Sequence, residues 1–179
     1  MGRGALPAAT HGPTREPGQT LGADTDVPDG PPGAAQTLLE RTRAAAHAGC
    51  FVCGREHPTG LRLEFHARDD GSVAARFPCG RLFAGYREAL HGGVIAALLD
   101  AAMTNCLFAK GISAVTAEMT VRYLTPVKLD LPAEVIAVVT RTRGPLYHLQ
   151  AELSQGSTLA ARAKATFMRS DRSARGNGR

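Results

Sequence analysis

Residues 90–108, LHGGVIAALLDAAMTNCLF, constrain this chain more than any other stretch. They open with His91-Gly92-Gly93 and continue as an apolar run of helical character, interrupted at mid-length by one carboxylate, Asp100. A helix apolar on nearly every side has to be covered on nearly every side, so the rest of the chain must wrap it. A carboxylate within such a helix costs free energy unless it is paired, exposed or in use. The glycine pair at the entrance leaves backbone N–H groups that can face a developing negative charge. The plain alternative for Asp100 is a solvent-facing side chain at a break in packing. Leu98 and Leu99 before it, and Ala101 and Ala102 after it, argue against that.

The segments around the helix have the strand period. Leu61, Leu63 and Phe65 alternate with Arg62, Glu64 and His66, which predicts a half-buried strand. Asp69-Asp70-Gly71 signals a hairpin, and 73–77 is the returning strand. Residues 78–89 read as an irregular loop rich in turn residues. The helix ends near Lys110-Gly111, a cation and then a glycine. Four strand-like stretches follow, over 115–124, 133–143, 147–153 and 159–168. The first alternates Ala117, Met119, Val121 and Tyr123 against Thr116, Glu118, Thr120 and Arg122. The second carries Val135, Ala137 and Val139 on one face. Pro126, Pro132 and Gly144-Pro145 punctuate the turns. The expected fold is α+β: a strand pair, one long helix, then a four-stranded antiparallel meander that curves around the helix, about five to six strands in all.

Ahead of this lies a helix over 34–48, with Leu38, Leu39 and Ala44–Ala46 on its apolar face and Gly49 after it. A cysteine-containing loop over 50–60 follows. Residues 1–33 are rich in Gly, Pro, Ala and Thr without periodicity, and read as a disordered leader. Residues 170–179 read as a disordered basic tail, and the folded domain as 34–169. With 179 residues and 44% hydrophobic residues, the chain suffices for one core, built from aliphatic side chains because there is no Trp. A net charge of +5 suits a polyanionic ligand such as coenzyme A, or is merely a solvated surface. Basic residues are not interleaved with aromatics, so nucleic acid is not an expected partner. No apolar run reaches the roughly 18 residues of a membrane span. Four cysteines and no apolar signal region point to the cytoplasm.

The candidate chemistry centres on the helix. Asp100 fits a general base activating water, or a nucleophile forming a mixed anhydride. Gly92 and Gly93 fit an oxyanion hole of backbone amides, or a tight entry that needs glycine for geometry. His91 fits an acid or base, and more simply a residue orienting the loop. Cys50-x2-Cys53 with His57, and Cys79 as a fourth ligand, could begin a zinc site. The pair could instead serve redox chemistry, or form a knuckle of small side chains over the helix mouth, and no metal or other cofactor is assigned. Arg122, Lys128, Arg141 and Arg143 could meet coenzyme A phosphates, or form the polar faces of strands. Cys106 and Met103 read as core.

The motif Gly85-x5-His91-Gly92-Gly93-x6-Asp100, within FAGYREALHGGVIAALLDAAM, resembles the hotdog-fold acyl-CoA thioesterases of the phenylacetic-acid-degradation-type branch. TAEMTVRYLTPV, residues 116–127, looks like the strand after that family's helix. CFVCGREHPTGLRL, residues 50–63, is similar to a preface found in some members. The resemblance spans about 50–168 and implies hydrolysis of an acyl-CoA to a carboxylic acid and free coenzyme A, without metal. It implies Gly92 as the N–H donor, Asp100 as base or nucleophile, Thr116 placing the water, and Gly93, Gly85 and Arg122 around the substrate. It also implies a homodimer or homotetramer with sites at the dimer interface, the N–H donor and the carboxylate of each site coming from opposite subunits. The chain differs from many members in carrying Gly85 where a polar side chain stands, Ala101 where a Glu follows the Asp, and His57 where the preface has Asn. Two other readings stay open. A hydratase on the same fold needs a His and an Asp close together, and His91 lies early relative to Asp100. A non-catalytic acyl-binding module would gain nothing from a carboxylate in an apolar helix.

Overall fold

The structure, a computed structural model, describes residues 33–170. The leader expected over 1–33 and the tail expected over 170–179 lie, apart from Gly33 and Ser170, outside the described residues. Helix α1 (Ala34–His47) buries Leu39 and Arg43. It is pinned by Gln36, whose Oε1 accepts from Ala67 N–H at 2.8 Å and whose Nε2 donates to Phe65 O at 3.3 Å.

The strand expected over 61–66 is only partly realised. β1 is His66–Ala67 alone. The preceding residues pair with the cysteine loop instead: Leu61 N–H donates to Phe51 O and Leu63 N–H to Val52 O, both at 2.8 Å. Arg62 takes φ 49°, which breaks the extended run. The alternation still shows in burial, since Leu63 and Phe65 are core residues. The turn at Asp70-Gly71 is as expected. Asp70 Oδ1 accepts from Ser72 N–H at 2.9 Å, and Gly71 takes φ 79°.

β2 (Val73–Phe77) turns Val73, Ala75 and Phe77 into the core. The loop expected over 78–89 contains more structure than its composition suggested. A 3₁₀ turn (Arg81–Phe83) leads into a small hairpin of β3 (Ala84–Tyr86) and β4 (Ala89–Leu90), which delivers the chain to helix α2 (Gly92–Phe108). Then come β5 (Ala114–Tyr123), β6 (Ala133–Arg143), β7 (Leu146–Gln155) and β8 (Thr158–Arg169).

The main sheet has six antiparallel strands in the order β1-β2-β6-β7-β8-β5. Only β6, β7 and β8 form a meander. β5 pairs with β8, not with β6, so the expected four-strand meander is corrected to three. The 124–132 connection exceeds the roughly two to five residues of a hairpin loop, so it can carry the chain from one sheet edge towards the other. Along the way it bonds Leu90 N–H through Val127 O and gives Asp130 N–H to Cys79 O. From Ala101 to Phe108 every residue of α2 is buried, whereas the first turns of the helix are half covered.

Candidate active site

The mouth of α2 is built by three contacts. His91 is the N-cap, and its Nδ1 accepts from Gly93 N–H at 2.9 Å. That bond places the imidazole as a cap, with Nδ1 unprotonated, and occupies the Gly93 amide. Among the described residues the Gly92 N–H has no acceptor, so it is the donor left at the helix mouth. His91 N–H donates to Phe83 O at 2.9 Å. Gly85 lies against His91: a Cβ there would come within 2.8 Å of the His91 Cα. The glycine is thus required by packing on the cap residue.

Asp100 projects from the half-covered part of α2. Its Oδ1 accepts from the Thr116 hydroxyl at 2.6 Å. Oδ2 has no described partner, and Thr116 is exposed, so the pair opens to solvent in a single chain. Asp100 is half-buried, not enclosed as its apolar neighbours in sequence suggested.

Thr116 reaches Asp100 because β5 carries a bulge. Thr116 pairs with Phe167 and Glu118 with Thr166, which leaves Ala117 as an extra residue. The simple alternation therefore fails at this point. Thr116 joins Met119, Val121 and Tyr123 on the face towards α2, while Glu118, Thr120 and Arg122 turn outward. Arg122 opposes Arg162 across the strands and lies on the other face of its own sheet from Asp100.

Tyr123 contributes to the mouth although the sequence marked it only as an apolar strand position. Its hydroxyl donates to Gly92 O at 2.9 Å, and its ring would be 3.6 Å from a Cβ at Gly92. The signal available in the sequence was its parity with Met119 and Val121. His47 was also missed. Burial holds its imidazole below the usual range, against a smaller upward pull from the Asp100 carboxylate. A cavity of about 1560 Å³ lies elsewhere, between residues such as Leu63, Ala74, Lys128 and Leu131, and is lined by none of Gly92, Asp100 or Thr116. The bonded carboxylate–hydroxyl pair and the free amide lie eight residues apart on α2, about 12 Å along its axis, so a single chain holds them as two separate half-sites.

Among the described residues no helix is long and apolar enough to cross a membrane. Residues 88–168 match the model of the thioesterase superfamily. No curated protein matches at a significant level. Three solved structures are similar. A thioesterase superfamily protein is 21% identical with a TM-score of 0.63, over 67% of this chain and 60% of the other, so the chain spans under two thirds of that relative. The PaaI protein of E. coli, from its phenylacetic acid degradation operon, is 15% identical with a TM-score of 0.64, over 76% of this chain and 94% of the other. A Streptococcus mutans UA159 protein solved with acetyl CoA bound is 18% identical with a TM-score of 0.57, over 60% and 88%. At these identities the likeness establishes the fold, the hotdog arrangement of a long helix wrapped by an antiparallel sheet.

Proposed function

We propose that this chain, whose residues 88–168 match the model of the thioesterase superfamily, is a member of that superfamily and hydrolyses acyl-CoA thioesters to a carboxylic acid and free coenzyme A. The observation that carries the reading is the 2.6 Å bond between Thr116 and Asp100 on a helix whose mouth presents a free Gly92 N–H. The two lie eight residues apart, about 12 Å along α2, so the donor and the carboxylate of one site come from two copies of the chain. The thioester carbonyl oxygen accepts from Gly92 N–H of one copy of the chain, with the positive end of its α2 behind it, and Asp100 comes from the other copy. Water gives a proton to Asp100 Oδ2 as its oxygen adds to the carbonyl carbon. The tetrahedral oxyanion then collapses, the C–S bond breaks, and coenzyme A leaves as a thiolate that takes up a proton. Thr116 holds the carboxylate through Oδ1, and its hydroxyl oxygen can still accept from the attacking water. An Asp100 nucleophile, attacking directly to give a mixed anhydride that water then cleaves, uses the same groups.

The site is completed by a second copy of the chain. β5 is a ten-residue edge strand, with Val115 and Tyr123 about half exposed. An uncovered edge of that length favours pairing with another chain. Thr116, the partner of Asp100, lies on this strand and is exposed. Free thiol released from a panel of acyl-CoAs by the purified protein tests the reading, with Asp100→Asn as the control. No release from any member of the panel, together with retained acyl-CoA binding, would favour the non-catalytic acyl-binding module.

A further inference from the structure

Three metal-ligating side chains meet outside the hydrolytic groups. His47 closes α1, and Cys50 and Cys53 lie in the loop that follows. Their donor atoms all fall within 4.8 Å of one another, with His47 Nδ1 3.9 Å from Cys53 Sγ. The grouping differs from the one the sequence suggested. His57 instead accepts from Thr59 N–H through Nδ1, and the Cys79 thiol faces Phe77 O.

Backbone bonds enforce the cluster. Cys50 N–H donates to His47 O at 3.0 Å, Gly54 N–H to Cys50 O at 2.8 Å, and Glu56 N–H to Ala48 O at 3.0 Å. A Cβ at Gly54 would lie 2.4 Å from both Ala48 O and Cys50 N, so only glycine lets the knuckle close. The His47 ring is held edge-on to Phe108 at 5.0 Å between centroids.

We propose that His47 Nδ1 and the Cys50 and Cys53 sulfurs bind a zinc ion, with water in the fourth position, and that the ion ties the end of α1 to the cysteine loop. Tetrahedral zinc, with Zn–S about 2.3 Å and Zn–N about 2.0–2.1 Å, sets donor atoms roughly 3.4–3.8 Å apart. The cluster reaches that geometry by small side-chain movements. Two further buried groups fit this site. Asn105, fully buried on α2, donates through Nδ2 to Ala101 O at 2.8 Å and acts on Cys53, and its Oδ1 has no described donor. Arg43 is 6% exposed and has no ion pair among the described residues, yet acts electrostatically on Cys53. Thiolates give its buried charge a counterpart. By itself the Cys53 thiol is hard to ionise, since burial pushes it up to about 11. A coordinated cation deprotonates it outright, and loading releases the two thiol protons to solvent. This inference stands apart from the hydrolysis reading and does not depend on it.

The test uses the full chain, produced with added zinc and purified without chelator or oxidant. Elemental analysis should find about one zinc per chain. His47→Gln, Cys50→Ser and Cys53→Ser should each lose it, whereas His57→Gln and Cys79→Ser should keep it. Serine variants can fail to fold, so the wild-type chain carries an independent arm. Chelation should lower its melting temperature, and refilling with cobalt(II) should restore it with thiolate-to-cobalt charge-transfer absorption. Wild-type protein that takes up no stoichiometric zinc or cobalt overturns the proposal. So does metal retained by all three ligand variants, or a Cys50–Cys53 disulfide in metal-free protein.

Discussion

The Thr116 hydroxyl donates to Asp100 Oδ1 at 2.6 Å, from strand β5 to helix α2. This bond leaves one carboxylate oxygen for chemistry and fixes the direction in which it points. Asp100→Asn keeps the shape and removes the charge. Turnover should fall by about 10²-fold or more, the range that loss of a general base produces. Substrate binding should change far less, since the charge is needed in the transition state. Thr116→Ala should cost turnover a smaller factor, on the order of 10-fold, and Thr116→Ser should recover most of it. Steady-state kinetics on both positions decide the matter. An Asp100→Asn enzyme of near wild-type turnover would show the site to lie elsewhere.

His91 is placed as a cap, which separates two roles by substitution. His91→Ala should lose about 1 kcal/mol of stability, as cap removal does. His91→Asn should retain most of that, because asparagine caps well. Thermal melts give the stability, and assays of the same proteins give turnover. An asparagine variant that is stable but inactive would mean that the imidazole takes part in the reaction.

Gly85 packs against the cap residue, with a Cβ position 2.8 Å from the His91 Cα. Gly85→Ala should displace the helix mouth, and kcat/KM should drop by about 10²-fold, the scale of a misplacement near 1 Å. Gly80→Ala meets open space and is the matched control. Equal activity in the two variants would show that the mouth tolerates the shift.

The exposed edge of β5 predicts association. Light scattering at working concentration should give a multiple of the 18.8 kDa chain mass. A monomer with full activity would remove the second copy from the site.

Burial pushes the Cys106 thiol from 9.0 up to about 11. A thiol whose folded value is raised contributes stability that is present below its unfolded value and lost as pH climbs through the folded one. The wild type should therefore lose stability between about pH 9 and 11, by on the order of 2 kcal/mol from this group. Denaturant melts of Cys106→Ala should show a shallower decline over that window. Parallel curves for the two proteins would contradict the assignment.

Local pattern was enough to find α2, its lone carboxylate and its glycine entrance, because the apolar run and the break in it are properties of neighbouring residues. The bounds of α1 and β6 follow from periodicity in the same way. The 61–66 segment shows where pattern stops. Its alternation correctly buried Leu63 and Phe65, but whether the backbone paired with a strand or with the cysteine loop depended on partners distant in sequence. The His47 cluster was hidden for a similar reason. His57 was a reasonable choice by its position after Cys53, and the loop's backbone bonds turned the cysteines towards the end of α1.

By itself the sequence determined a helix that must be wrapped, the strands able to wrap it, and the carboxylate and glycines it carries. It could not determine which face Thr116 occupies. Strict alternation sets Thr116 with Glu118 and Arg122, away from the helix. One extra residue in the pairing with β8, at Ala117, shifts the parity and brings the Thr116 hydroxyl to Asp100. The tertiary structure decided this, because a bulge is a mismatch between two strands, and the register of one strand against another is set by both at once.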